Sequence, residues 1–266
     1  MSTAPPSTSP AQSVVITGAS SGIGYALALH YARPGARLGL LGRNSERLLQ
    51  VTEECRRRGA TVDTENVDVR SRREMAIWLN GFDARFPIDL LFANAGVMDG
   101  TPVDGEIEPA DAGYEIIETN VLGVLNTVQP AIPRMMARQR GQIAILSSLA
   151  GLIPLRDSPS YCASKSAVLA YGLSLRDLLG ARGIRVNVIC PGYVATPMSR
   201  QEIGSKPFEI TAERAASLIA RGLERNKAVI AFPFWLALGT RIGAMLPDAL
   251  RERVTRGSRF RVNRRT

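Results

Sequence analysis

Tyr161 and Lys165 stand four residues apart in the run Tyr161-Cys162-Ala163-Ser164-Lys165. On a helix they would lie one turn apart on the same face. An ammonium beside a phenol favours the phenolate, so this spacing is expected to lower the tyrosine pKa from about 10 toward neutrality. A tyrosine tuned in this way passes a proton to or from a substrate oxygen near neutral pH. The spacing alone is common in helices, and its neighbours give it weight. Ser148 precedes Tyr161 by 13 residues and ends a strand-like apolar run. Its hydroxyl can donate a hydrogen bond to the oxygen that Tyr161 protonates. Ser147, by strand alternation, turns the other way. Asn120 lies in Thr119-Asn120-Val121, within a long helical stretch, and its amide can reach Lys165 through water.

A second constellation stands near the start. Thr17-Gly18-Ala19-Ser20-Ser21-Gly22-Ile23-Gly24 follows a β-branched run and opens an apolar helix. Glycines there let the backbone approach a pyrophosphate, and a helix N-terminus offers free N–H groups and a positive dipole end. The spacing is GxxxGxG rather than GxGxxG. Arg43 falls just beyond the second strand, where this kind of fold meets the adenosine ribose. An acid at that point suits the 2′-hydroxyl of NAD, whereas an arginine suits the 2′-phosphate of NADP. Asp68-Val69 follows the third strand and is placed to hold an adenine edge. Asn94-Ala95-Gly96 ends the fourth, with small residues that let the backbone pass close to a cofactor.

The elements that must position these groups alternate strand and helix. Strands are expected at 13–17, 37–41, 61–67, 89–93, 142–146, 185–190 and 228–232. Helices are expected from about Ile23, from an Asn44 cap to Arg58, from about 110 to 137 with a bend near Pro130 and Pro133, in a segment that carries Tyr161 and extends to about 181, and over 211–224. Such alternation indicates a parallel sheet covered on both faces. The segment 193–210 reads as irregular, and 233–256 as a proline-broken helical stretch. No internal repeat or linker divides the chain, so the expected organisation is a tail (1–12), one domain (13–232) and a C-terminal helical extension with a basic end (233–266).

Composition bounds the function. The 266 residues and 45% hydrophobic content suffice for one large core. Residues 1–13 hold no charged side chain and lack the parts of a signal peptide, so a short disordered tail is expected. Cys55, Cys162 and Cys190 are scattered and have no metal spacing, so they read as reduced thiols of a cytoplasmic protein. The net charge of +9 is concentrated at the end, where residues 251–266 contain seven Arg and one Glu. The single histidine, His30, stands far in the chain from Ser148, which argues against a serine hydrolase. A nucleic-acid binder is not favoured, because the tail contains one aromatic residue, Phe260, and no known module.

Together these motifs, with Pro191-Gly192 followed by Thr196, resemble the short-chain dehydrogenase/reductase family across about residues 12–232. The resemblance implies a Rossmann-type, doubly wound parallel sheet of about seven strands in a three-layer αβα arrangement. It implies a nicotinamide cofactor and a catalytic tetrad matching Asn120, Ser148, Tyr161 and Lys165. It places Thr17, Ser20, Ile23 and Asn94 near the cofactor, Val194 and Thr196 near its carboxamide, and Lys165 on the nicotinamide ribose. Arg43 resembles the NADP-preferring members, so NADP(H) is favoured, with NAD(H) the alternative. The implied reaction interconverts a carbonyl and a secondary alcohol of a small molecule. The apolar C-terminal segment points to a hydrophobic substrate, and analogy points to a homo-oligomer. A cofactor-sensing protein without turnover is the rival reading. Phe234, Trp235 and the basic end suggest a peripheral membrane contact, and the favoured alternative is a helix that closes the substrate pocket or makes a subunit contact.

Overall fold

A strand that is apolar on both sides must be covered on both sides, and a strand–helix–strand crossover supplies that cover. The computed structural model describes residues 12–247, Leu250 and 260–263. The first half holds β1 (Ser13–Thr17), α1 (Gly22–Tyr31), β2 (Arg37–Leu41), α2 (Ser45–Arg57), β3 (Thr61–Glu65), α3 (Arg72–Arg85) and β4 (Leu90–Ala93). Next come α4 (Ala110–Ile117), a π-turn (Glu118–Leu122), α5 (Gly123–Val128), α6 (Ile132–Ala137), β5 (Gly141–Leu146), α7 (Pro159–Gly180) and β6 (Ile184–Pro191). The remainder holds β7 (Val194–Ala195), β8 (Glu202–Gly204), β9 (Ile210–Thr211), α8 (Ala212–Glu224), β10 (Val229–Phe232), α9 (Phe234–Ala244) and β11 (Phe260–Val262).

Seven strands form one parallel sheet in the order β3-β2-β1-β4-β5-β6-β10. This is the expected three-layer, Rossmann-type arrangement. β1, β4 and β5 are buried at every residue. One face packs on α1, α2 and α8 through Leu27, Leu48, Val51, Ile219 and Leu223. The other packs on α3, α5 and α7 through Met75, Phe82, Val124, Val168 and Leu175. Strand order reverses between β1 and β4, and ligands bind at such a switch point, beyond the carboxyl ends of the strands.

The structure departs from the expected elements in four places. α3 stands where the sequence reading has no helix, although Met75, Leu79 and Phe82 recur at helical spacing and are buried. Its last turn carries Asp83, only 5% exposed, which accepts from Ile88 N at 2.8 Å and Arg138 Nη1 at 2.9 Å. The helix expected over 110–137 is broken twice, by the π-turn and at residues 129–131, after which α6 begins at Ile132 with Pro133 in its first turn. β3 ends at Glu65 rather than Val67. The stretch 193–210, expected to be irregular, contains β7, β8 and the first residue of β9, with β7 paired to β9 and β8 to the C-terminal β11. The expected N-terminal tail at residues 1–11 and most of the basic end lie outside the described residues. Among the described residues no helix is long and apolar enough to cross a membrane.

Candidate active site

α7 buries Cys162, Ser164, Lys165, Val168, Gly172, Leu175 and Leu179, a helical stripe that presses the helix against the sheet along its length. Pro159 opens the helix, and Glu108 Oε2 accepts from Ser160 N at 3.1 Å and from Ser160 Oγ. A carboxylate at this end is favoured by the helix dipole. Lys165 is therefore held inside, 6% exposed, with Nζ donating to Leu146 O at 3.1 Å. Its Nζ lies 5.5 Å from the centre of the Tyr161 ring. Ser147 Oγ donates to Lys165 O at 2.7 Å, so Ser147 turns away from the reacting end. Ser148 Oγ accepts from Ala150 N at 3.1 Å and also hydrogen-bonds the Tyr161 side chain.

Asn120 is fully buried in the π-turn. Its Oδ1 accepts from Val97 N at 2.8 Å, and its Nδ2 donates to Val97 O at 2.9 Å and Ser164 Oγ at 3.1 Å. The side chain thus ties α7 to the end of β4 rather than reaching Lys165 directly. A π-turn interrupts the regular α-helical bonds at this point, a feature frequent at functional sites. All four members of the expected tetrad meet at the carboxyl ends of β4 and β5.

The charge balance differs from the sequence expectation. Burial pushes the Tyr161 phenol up, and the nearby Glu202 adds to this, while the bond from Ser148 works against it. Tyr161 keeps some contact with the open cleft, which moderates the rise. Burial also pulls Lys165 down to about 8. Desolvation is thus the largest cause of both shifts within this cleft.

The second constellation lines the other end of the same cleft, which encloses about 1000 Å³. Gly18 (φ +68°) and Gly22 (φ +55°) take left-handed backbone that other residues resist. A Cβ on Gly24 would lie 2.2 Å from Gly18 O, so only glycine lets α1 start against the turn. Ser20 to Gly24 all line the cleft, Ser21 caps α1 without a side-chain bond, and the first turn of α1 has no acid. Its free N–H groups suit a pyrophosphate. Asn94, Ala95, Gly96, Pro191, Gly192, Val194 and Thr196 line the middle of the cleft. Thr119 Oγ1 is a buried oxygen of a cleft residue with no partner among the described residues. These features fit an extended dinucleotide.

Arg43 lines the distal end, half-exposed, with a weak 3.7 Å ion pair to Glu115. Arg47 and Asn44 join it; Asn44 Oδ1 caps α2 by accepting from Arg47 N at 2.8 Å. The sequence reading omits Arg47, though its place one turn after Arg43 was the available signal. Two expected contacts sit behind the wall instead. Thr17 is buried, donating to Phe92 O at 3.2 Å and accepting from Asn94 N and Ala95 N at 3.0 and 3.1 Å. Asp68 is engaged by Arg70 N, Nε and Nη2 at 2.9, 2.9 and 2.7 Å, while Val67 and Val69 line the cleft. Burial raises the Asp68 carboxyl, but these bonds outweigh it and hold the carboxyl below its usual range.

Besides Tyr161, the cleft is lined by the apolar side chains of Met98, Leu155, Phe208, Trp235 and Leu236, with Glu202 among them. α9 thus forms part of this wall. Met98, Leu155 and Phe208 come from loops and carried no periodic signal in the sequence, whereas Trp235 and Leu236 belong to the apolar helical stretch expected from residue 233.

Comparison with known proteins agrees with this geometry. The family profile described as short chain dehydrogenase matches residues 12–206. The chain is 35% identical over 240 residues to an uncharacterized oxidoreductase of Myxococcus xanthus, covering 90% of this chain and 94% of that protein. Its fold is similar to a short-chain dehydrogenase from Sphingobium yanoikuyae in complex with NADPH, with a TM-score of 0.75, 25% identity, and 89% and 97% of the two chains covered. It is also similar to a variant actinorhodin polyketide ketoreductase with NADPH, with a TM-score of 0.73, 27% identity, and 83% and 94% covered. A motif-bearing cleft at the switch point of a seven-stranded parallel sheet, together with this matched length, places the chain in the short-chain dehydrogenase/reductase family as an NAD(P)-dependent oxidoreductase.

Proposed function

We propose that this enzyme interconverts a carbonyl and a secondary alcohol on a largely hydrophobic small molecule, with NADP(H) as its preferred cofactor. The observation that carries the reading is one continuous cleft with Ser148, Tyr161 and Lys165 at its inner wall and Arg43 and Arg47 at its nucleotide end. The nicotinamide, when bound, supplies or takes the hydride at the substrate carbon. Ser148 donates a hydrogen bond to the substrate oxygen, and Tyr161 protonates it in reduction or removes its proton in oxidation. Lys165 holds positive charge behind the phenol, and with a pKa near 8 it also passes protons near neutral pH. Asn120 fixes the π-turn, past which a water chain restores the proton. Gly18 to Gly24 hold the pyrophosphate, and Asn94 to Gly96 with Pro191 to Thr196 frame the nicotinamide half.

Preference for NADP(H) rests on charge. The residues after β2 are Gly42, Arg43 and Asn44, so this end of the cleft offers guanidinium groups where a carboxylate would select NAD. Exposed Tyr114, Leu122 and Leu178 support self-association of the family's kind, and three buried thiols support a reducing compartment. Fluorescence titration of the purified protein with NADPH and NADH tests the reading. NADPH is expected to bind more tightly, and Arg43→Ala is expected to reduce that preference roughly 10-fold or more, the scale of a charge-assisted hydrogen bond. Tighter NADH binding would overturn the Arg43 assignment and leave the NAD-preferring alternative.

A further inference from the structure

Among the described residues that line the cleft, one is a carboxylate, Glu202. Glu202 opens β8, which pairs antiparallel with the C-terminal strand, Glu202 standing opposite Val262. Flanking bonds fix this strand, with Val262 N donating to Thr101 O at 3.0 Å and Asn263 N to Gln201 O at 2.8 Å. Residues opposite each other in an antiparallel pair carry their side chains on the same face. Val262 is 2% exposed and clusters with Met98, Leu155, Tyr161 and Met198. The register therefore turns Glu202 toward the same place, and its charge acts on both Tyr161 and Tyr193.

This carboxylate accepts no hydrogen bond from the described residues. Lys206 and Glu209 are its charged neighbours from the same loop. Lys206 Nζ is committed to Ser199 O. Through Val262 it shares its place with the apolar side chains of Met98, Leu155 and Met198, and Phe208 and Trp235 line the same cleft. A half-buried carboxylate in such surroundings is costly until a donor satisfies it. The cleft itself is where a donor can come from.

We infer that Glu202 is a specificity-determining residue that accepts a hydrogen bond from a hydroxyl group of the substrate, so that the preferred substrate is a hydroxylated, otherwise apolar carbonyl compound. The hydroxyl and the reacting carbonyl are then read from opposite ends of one substrate, by Glu202 and by Ser148 with Tyr161. The C-terminal strand contributes by setting the position of Glu202. The inference rests on the carbonyl/alcohol reading above.

Ring-hydroxylated tetralones and their size-matched methoxy counterparts are the probes, assayed with NADPH on wild type, Glu202→Leu and Glu202→Gln. Wild type is expected to prefer at least one hydroxy isomer roughly 10- to 100-fold in kcat/KM, as a hydrogen bond to a charged acceptor provides. Glu202→Leu is expected to bring that ratio to about one. Glu202→Gln, which keeps one acceptor oxygen and guards against a folding artefact, is expected to retain part of it. The wild-type preference should grow as pH rises through about 7, where Glu202 ionises. Equal ratios in wild type and Glu202→Leu overturn the inference and leave the reaction standing. Absence of turnover in all three proteins overturns the reaction instead. Calorimetric titration of the same pairs then decides the inference, by survival or loss of the hydroxy preference in Glu202→Leu.

Discussion

Glu202→Gln should make the folded protein more stable at alkaline pH and leave it unchanged in acid. Burial is the main cause that raises the Glu202 carboxyl from 4.5 to about 7, with Glu209 adding and Lys206 opposing. A rise of that size corresponds to about 3 kcal/mol at 1.36 kcal/mol per pH unit. Residual solvent contact at the cleft reduces this to about 2 kcal/mol. The sign follows from proton binding. The folded chain holds the Glu202 proton more tightly than the unfolded chain, so stability falls as pH rises from about 4.5 to about 7. Glutamine has no proton to lose and escapes that fall. For a chain of this size about 2 kcal/mol is roughly 4–8 °C in Tm. Thermal melts of both proteins at about pH 4.5 and about pH 8.5 would read it, as the difference between variant and wild type at each pH. The same offset at both pH values would refute the reasoning. A destabilised variant at alkaline pH would show that the carboxylate has a donor within the protein.

Two further changes probe the scaffold. Gly24→Ala puts a Cβ 2.2 Å from Gly18 O and 2.5 Å from Asn94 Nδ2, so the phosphate turn must shift. The expected outcome is a loss of about 1–3 kcal/mol in stability, read by urea unfolding, with a weakening of NADPH binding of roughly 10-fold. Asp83→Ala removes the acceptor for Arg138 Nη1 and Ile88 N far from the cleft. It should cost about 3 kcal/mol in denaturant while leaving nucleotide affinity within about twofold.

The catalytic groups were legible because each sits on a regular element whose spacing is visible. Tyr161 and Lys165 are one turn apart on α7, and Ser148 stands two residues past the end of β5. The glycine turn was legible because strand, turn and helix N-terminus are contiguous in the chain. What stayed hidden depends on contacts between distant segments. Thr17 bonds to the end of β4 rather than pointing into the cleft, and nothing near it in sequence shows this. Asp68 is claimed by Arg70 two residues later, a pairing that loop geometry decides. The π-turn at Asn120 leaves no mark in the hydrophobic pattern. Glu202 gains its place only from β11, about sixty residues further on. Desolvation of Tyr161 and Lys165 likewise depends on the packed cleft, which spacing alone cannot report.

The most direct test of the account is a comparison of wild type with Tyr161→Phe in two readings on the same preparation, NADPH binding by fluorescence and NADPH oxidation with a carbonyl substrate. Phenylalanine keeps the ring packed over Lys165 and removes only the oxygen that carries the proton. The account predicts NADPH affinity within about threefold of wild type and turnover reduced at least ~10²-fold, the low end of general acid catalysis. Near-wild-type turnover in Tyr161→Phe would contradict it.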